Sequence, residues 1–504
     1  MNVAEVLWEE PALLSGPALR VGGSAWTRAD LAEATAAFAG VLVEEGVEPG
    51  DRVLLACATS ADFVVAYHAV LAAGAVVVTI NPRCKAPELE YFLEDAGCSL
   101  ALGHEAGASA LVEAAEAKRV PVLMVDATHQ RRARPRRPVP RRAEDLAVLL
   151  YTSGTTGRPK GAELTHGNLR ACTSAVIERL ELTDADRVGT ALPLFHVYGQ
   201  AVVMGAALRV GATLSLLHPF TAEDMLRMVA DDRLTVAAGV PTMWVDLVHA
   251  PMEQQVPHFL RIALSGGAPL PAEVARTLRG RFGCALVEGY GLSEATGVAT
   301  MGSADGRRPE GSVGYPLPGI EVRVLGPDGE QAPHGTLGEV AVRGPVLMRG
   351  YWRRPLDSAE VRRGEWLLTG DIGHQDSDGH LWVVDRKKEL IIRGGYNVYP
   401  REVEEQLYEH PAIREAAVVG VPDGRLGEEI AAVVALHDGA ALAPGDLRSW
   451  LSTRLADYKV PRLYLVVDVL PKGATGKIHK LSIDRAEVLA ASTRVTSGSG
   501  VARS

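Results

Sequence analysis

The segment Tyr151-Thr-Ser-Gly-Thr-Thr-Gly-Arg-Pro-Lys160-Gly161 places three glycines, four hydroxyl side chains and a lysine directly after the apolar run 146–150. Glycines such as Gly154 and Gly157 let the backbone bend closely around an anion, and Thr152, Ser153, Thr155 and Thr156 carry hydroxyls that donate to phosphate oxygens. Lys160 adds a full positive charge. These are the parts of a phosphate-binding loop, although the composition alone also suits an ordinary turn between elements. It is not the nucleotide-kinase loop, whose Gly, four residues, then Gly-Lys-Ser/Thr spacing occurs nowhere in the chain.

Further segments follow in order: Pro-Leu-Phe-His-Val-Tyr-Gly at 193–199, Ser-Gly-Gly-Ala-Pro-Leu at 265–270, Gly-Tyr-Gly-Leu-Ser-Glu-Ala-Thr at 289–296, Thr-Gly-Asp at 369–371, the stretch 383–400 (VVDRKKELIIRGGYNVYP), and Pro-Lys-Gly-Ala-Thr-Gly-Lys at 471–477. Together with the loop, the set resembles the signature of the adenylate-forming superfamily, which includes acyl-CoA synthetases, luciferase and peptide-synthetase adenylation domains. In pattern it is most similar to fatty acyl-CoA and coumarate-type CoA ligases, and the likeness covers nearly the whole chain. The resemblance implies an ATP-dependent acid:CoA ligase. Such an enzyme converts a monocarboxylic acid to acyl-AMP and pyrophosphate, then transfers the acyl group to coenzyme A, with ATP, Mg2+ and coenzyme A as partners.

Joining a carboxylate to the α-phosphate of ATP brings two anions together, so cations and preorganised donors must neutralise both. By resemblance, Glu294 coordinates the magnesium, and Ser293, in place of the more usual threonine, donates its hydroxyl to phosphate. Tyr290 is expected to stack on adenine, Asp371 to accept the ribose hydroxyls, and Arg386 to contact ribose or phosphate. Gly267, Ala268, Pro269, Glu288, Gly289, Gly291 and Leu292 complete the expected nucleotide site. Lys477 is the expected catalytic lysine, bridging the substrate carboxylate and the α-phosphate. Because it lies in a different domain from the loop, catalysis implies domain closure about a hinge at Lys388. After adenylation the small domain is expected to rotate and present Gly395, whose missing Cβ leaves room for pantetheine; Arg393, Lys459 and Lys472 are candidates for the coenzyme A phosphates.

The expected acid pocket comprises His196, Val197, Tyr198, Gly199, Gln200, Val240, Met243, Trp244, Gly266, Gly267, Ala268, Gly289 and Leu292, with His196 as the gating residue at its mouth. Met243 and Trp244 lie in a run with helical character, and a place in the core is the commoner fate of such residues. Gly289 stands where malonyl-CoA synthetases carry an arginine, so a dicarboxylic acid is disfavoured. A fatty acid or an aryl acid such as a cinnamate remains, the fatty chain slightly preferred; Tyr198 and Gln200 are placed to meet a ring hydroxyl. A carrier protein as acceptor and an unusual acid such as nitrite stay open. A degenerate, non-catalytic ATP binder is disfavoured, because Glu294, Asp371 and Lys477 are all present.

The scaffold implied is α/β. A large N-terminal domain of sandwiched α/β sheets plus a small β-barrel spans 1–386, a small mobile α+β domain spans 387–490, and a disordered tail occupies 491–504. At 504 residues the chain exceeds one core's usual size. Apolar runs at 53–56, 120–125, 146–150 and 235–238 alternate with helical stretches such as 221–231. From 319 onward, short strands and polar turns predict an antiparallel unit. Beyond 387 the pattern predicts helix 400–409, strands 413–421 and 429–436, helix 444–455 and strand 463–467. The apolar run 63–80 reads as a buried helix and strand split by Gly74, not as a membrane span. A net charge of -10 argues against nucleic acid as a partner, and the basic run 131–142, broken by prolines, reads as a solvated connector. Five scattered cysteines suggest neither disulfides nor zinc, and the acidic N-terminus does not resemble a secretory signal, so a reducing cytoplasm is the expected location. The oligomeric state is left open.

Overall fold

The computed structural model describes residues 2–8, 16–104, 108–126, 134–152, 158–251, 259–473 and 478–495. The apolar run after Ala61 forms helix Ala61–Ala72, capped by the Ser60 side chain, and strand Val76–Thr79. Gly74, at φ +80°, makes the left-handed turn between them, a conformation that costs an L side chain energy and glycine none. The strand enters a six-stranded sheet in the order Val122–Met124, Leu100–Gly103, Arg52–Ala56, Val76–Thr79, Leu146–Thr152, Lys160–Thr165. All pairings are parallel except the last, which is antiparallel. Continuous apolar strands buried on both faces are what a helix-covered parallel sheet requires.

A second sheet of nine strands is parallel through Thr213–Leu216, Arg187–Thr190, Val236–Gly239, Ile262–Gly266 and Ala285–Tyr290. Side chains of both sheets and the helices between them merge into one large core. The stretch after 319 forms a five-stranded antiparallel sheet built on the long strand Trp366–Gln375. Where a closed barrel was expected, the described ladder stays open. Strand Leu381–Arg386 pairs with Trp366–Gln375, and Glu321–Leu325 pairs with Gly338–Arg343 at the opposite end.

Beyond Arg386 a mixed sheet forms with its own core. Ile413–Asp423 and Gly427–Leu436 pair antiparallel, and Leu463–Val467 runs parallel to the latter. Val403, Leu407, Leu447 and Leu451 from helices Pro400–Tyr408 and Pro444–Ser452 pack onto one face. The second helix ends three residues before the sequence pattern suggested. Thr493 and Arg494, placed by the sequence in a disordered tail, instead pair with Tyr464 and Leu463; residues 496–504 lie outside the described part.

Inside this sheet Arg393 and Glu429 form a buried ion pair, Nε to Oε1 2.7 Å, with the arginine also donating to the Tyr458 carbonyl. Removing one partner of a buried pair costs about 3–5 kcal/mol. Because Arg462 stands 3.5 Å from the other carboxylate oxygen as a partial substitute, Arg393→Met is expected near the low end, about 3 kcal/mol, read as an early urea transition of the C-terminal part. No helix among the described residues is long and apolar enough to cross a membrane. The five cysteines are free, four of them buried.

Candidate active site

Thr152 ends one strand and Lys160 begins the next, and the two pair directly across the antiparallel ladder. The connection between them is therefore a strand-to-strand loop, unlike the strand-to-helix loop of nucleotide kinases. Ser153, Gly154, Thr155, Thr156 and Gly157 lie outside the described residues. Both flanks are tied to helix Ala86–Ala96: the Tyr151 hydroxyl donates to Asp95 Oδ2 at 2.6 Å, and the Tyr91 hydroxyl donates to the Pro159 carbonyl at 2.6 Å.

Glu294 sits in a short turn, Ser293–Ala295, just after strand Ala285–Tyr290. Its Oε1 accepts from the Tyr351 hydroxyl at 2.8 Å and from Thr152 Oγ1 at 3.4 Å, so the magnesium candidate and the phosphate loop meet. Lys160 pairs with Asp357 and lies 5.5 Å from the centre of the Tyr351 ring. No donor among the described residues reaches Oε2 of Glu294. Mg2+ keeps several waters and takes one or two carboxylates plus substrate phosphates, so a half-buried carboxylate with one free oxygen beside a hydroxyl and a lysine fits such an ion.

Asp371 lies on strand Trp366–Gln375 directly opposite Arg386. Its Oδ1 is 3.1 Å from Arg386 Nε, and its Oδ2 accepts from the Tyr290 hydroxyl at 2.6 Å. Burial raises the Asp371 carboxyl above the usual range, the Arg386 guanidinium works against that shift, and the Glu294 charge adds to it. Burial and Asp371 push the Tyr290 phenol well up, so it stays a neutral donor. The structure thus joins Tyr290, Asp371, Arg386, Glu294, Thr152 and Lys160 into one site drawn from three sheets.

Other expected residues stand elsewhere. Glu288 is buried in an ion pair with Arg308, so its carboxylate is engaged by the protein. Gly291 is a close approach, since a Cβ there would lie 2.4 Å from the Gly297 carbonyl oxygen, whereas a Cβ on Gly289 would meet Met301 and Thr300 at 3.4 Å. Gly267, at φ +87°, turns the chain out of strand Ile262–Gly266 into exposed Pro269 and half-buried Ala268. Lys388 is exposed, and Lys477 lies outside the described residues. Gly395, at φ +85°, occupies an exposed hairpin with no atom within 4 Å of where a Cβ would sit.

Parts of the expected acid pocket dissolve. Gln200 is 1% exposed, donates toward Thr79 Oγ1 and the Leu194 carbonyl, and faces a cavity lined by Tyr67, His68 and Met204. Trp244 is core, packed with Met225, Leu247 and Leu278. Gly239 and Gly266 occupy adjacent parallel strands one register position apart, so their faces alternate: Trp244 covers Gly239 and Tyr198 covers Gly266. The Tyr198 hydroxyl donates to the Leu264 carbonyl at 3.1 Å, so it has no bond to spare as donor for a ring hydroxyl. Gly199 serves packing, since a Cβ there would lie 2.6 Å from the Pro193 carbonyl oxygen. His196, half-buried, precedes the π-helix Tyr198–Gly205, and Val240 is core while Met243 borders it. Arg393, Lys459 and Lys472 have partners in Glu429, Glu402 and Glu415, and Arg393 is too buried to reach a coenzyme A phosphate.

Tyr351 and Asp357 are the site neighbours that the motifs did not single out. A tyrosine and an aspartate in a strongly basic, otherwise irregular stretch, 349–357, were the available signal.

Comparison with known proteins places these observations. Residues 8–352 match the AMP-binding enzyme family and residues 402–477 its C-terminal domain. The chain is 41% identical over 473 residues to a feruloyl-CoA synthase of an Amycolatopsis species, covering 93% of this chain and 95% of that one. It is 36% identical to a long-chain-fatty-acid–CoA ligase of Bacillus subtilis (strain 168), covering 86% and 85%. Among solved structures, ATP-bound MatB from Rhodopseudomonas palustris superposes with a TM-score of 0.90 at 32% identity, covering 97% of this chain and 99% of that one.

Proposed function

Because the chain belongs to the AMP-binding enzyme family, within which it is an AMP-forming acyl-CoA synthetase, we propose that its acid is a planar aryl monocarboxylate of the cinnamate type. The reaction frame is ATP-dependent: a carboxylic acid is adenylated with release of pyrophosphate, and coenzyme A takes the acyl group.

The observation that carries the acid assignment is the 41% identity to a feruloyl-CoA synthase over 93% of this chain. Gly297, at φ +92°, has the methyls of Val197 and Val202 within 3.3 Å of where its Cβ would be, and Gly266 has the Tyr198 ring at 3.2 Å. These are tight packing contacts, made by an aromatic ring and β-branched side chains with no charge among them. Uncharged surroundings offer no partner to a second carboxylate and so favour a monocarboxylic acid, and the choice of an aryl acid rests on the feruloyl-CoA synthase likeness. The likeness to a long-chain ligase favours a fatty acid as the second reading.

In the proposed mechanism Asp371, held by Tyr290 and Arg386, accepts the ribose hydroxyls, and Thr152 and Lys160 hold the phosphates. Glu294 offers its free oxygen to magnesium, which supplies charge neutralisation of the triphosphate. Lys477 bridges the acid carboxylate and the α-phosphate. Two contacts support this order of events. Asp246, at the end of helix Pro241–His249, feels the charges of Lys472 and Glu415, so the segment leading to Lys477 lies against the larger part of the chain. The Gly395 hairpin faces solvent, with Ile392 and Tyr396 53% and 59% exposed. That orientation fits adenylation, and rotation about Lys388 would exchange the two faces.

Pyrophosphate release with magnesium-ATP, measured across cinnamates, benzoates, fatty acids of increasing length, malonate and nitrite, with and without coenzyme A, tests the assignment. Cinnamates are expected to lead saturated fatty acids by about tenfold or more in kcat/KM, with stimulation by coenzyme A. A fatty acid in first place would reverse the assignment, and release indifferent to coenzyme A would point to a carrier protein as acceptor.

A further inference from the structure

Tyr351 is fixed from behind by the sheet that carries the phosphate loop. The Arg349 amide donates to the Glu163 carbonyl, the Glu163 amide to the Gly350 carbonyl, and the Trp352 amide to the Gly161 carbonyl, all within 2.9 Å, so residues 349–352 run as an extra edge along strand Lys160–Thr165. The Tyr351 amide donates to Ser358 Oγ at 2.8 Å. The ring therefore has one place to be: beneath the Lys160 ammonium on one side, with its hydroxyl 2.8 Å from Glu294 Oε1 on the other.

We propose that Tyr351 is a positioning residue for the metal ion: its hydroxyl engages one oxygen of Glu294 and turns the other, Oε2, toward the magnesium of the bound nucleotide. This rests on the reading of Glu294 as the magnesium ligand. A carboxylate on a short turn has free torsions, and each must be frozen before it can bind a metal with fixed geometry. Thr152, at 3.4 Å, is too long a bond to freeze them alone. Donors of this kind are typically worth 10–100-fold in metal affinity. The same ring contacts the lysine of the phosphate loop, so metal and phosphate ligands are registered against one rigid group.

Tyr351→Phe keeps the ring and its packing and removes only the hydroxyl. Mn2+ binding, followed by electron paramagnetic resonance in the presence of a non-hydrolysable ATP analogue, is expected to weaken about 10–100-fold. The magnesium concentration for half-maximal adenylation should rise in parallel, with kcat at saturating magnesium and thermal unfolding close to the parent. Glu294→Gln is the second arm. Weakened binding in Glu294→Gln but parent-like binding in Tyr351→Phe overturns the role given to Tyr351. Unchanged binding in Glu294→Gln overturns the reading of Glu294, and Tyr351 falls with it. A loss of rate in Tyr351→Phe that no magnesium concentration restores, with Mn2+ affinity intact, also counts against positioning, because a packing defect would look like that.

Discussion

Lys477→Ala is expected to slow pyrophosphate release by about 10²–10³-fold, the usual cost of deleting one donor aimed at developing charge, while leaving thioester formation from supplied acyl-adenylate and coenzyme A close to the parent rate. The asymmetry follows from the chemistry. In the first half-reaction a carboxylate oxygen approaches the α-phosphorus in line, which brings two anions together and moves charge from the carboxylate onto the phosphoryl oxygens and the departing pyrophosphate. A single ammonium between them lowers that barrier and does little for either partner alone. In the second half-reaction the nucleophile is a thiol and the leaving group is AMP, and under the proposed rotation the small domain would have carried Lys477 away. Lys477→Arg retains the charge on a longer, planar head and should recover part of the adenylation rate, since guanidinium and ammonium are not interchangeable in geometry. Measuring the two half-reactions separately decides the matter: equal losses in both would remove Lys477 from the adenylation step and reduce it to a residue of general structural importance.

The nucleotide site was legible because its chemistry dictates residue types at places where the chain can bring them together. Thr152, Glu294 and Asp371 were named from motifs far apart in sequence, and the structure joins them through hydrogen bonds and shared charge. The acid pocket was less legible, for geometric reasons. Gln200 directly follows the motif containing His196, but residues 198–205 wind as a π-helix, whose bonds run one residue further than in an α-helix and swing later side chains away from the direction of the first. For Trp244 the sequence left pocket and core both open, because sequence alone does not tell which face of a fully buried parallel strand its cover lies on; the structure places it in the core. Tyr351 and Arg393 illustrate the same limit in charge pairing. Their partners, Glu294 and Glu429, are 57 and 36 residues away, and no periodicity links them. A buried arginine and an exposed one look alike until the fold supplies the carboxylate.

Gly395→Leu should separate the half-reactions in the opposite sense. A Cβ here has no atom within 4 Å, and the hairpin is exposed, so a side chain has open solvent to enter in this arrangement. The backbone at φ +85° does resist: a left-handed conformation costs an L residue about 1–2 kcal/mol, which should appear as a small loss of thermal stability. Pyrophosphate release is therefore expected to stay near the parent value. Thioester formation is expected to fall by about 10²-fold or more, because displacing the pantetheine thiol by about 1 Å is enough to cost that factor. Gly439→Leu supplies the control for strain alone, since Gly439 has φ +76°, open space around its Cβ position and no proposed role. If Gly439→Leu and Gly395→Leu weaken thioester formation alike, the effect is backbone strain and the hairpin does not line the pantetheine path. If only Gly395→Leu does so, the side of the small domain now facing solvent must turn inward during turnover, because a side chain that leaves an exposed hairpin toward solvent in one arrangement can block coenzyme A only in another.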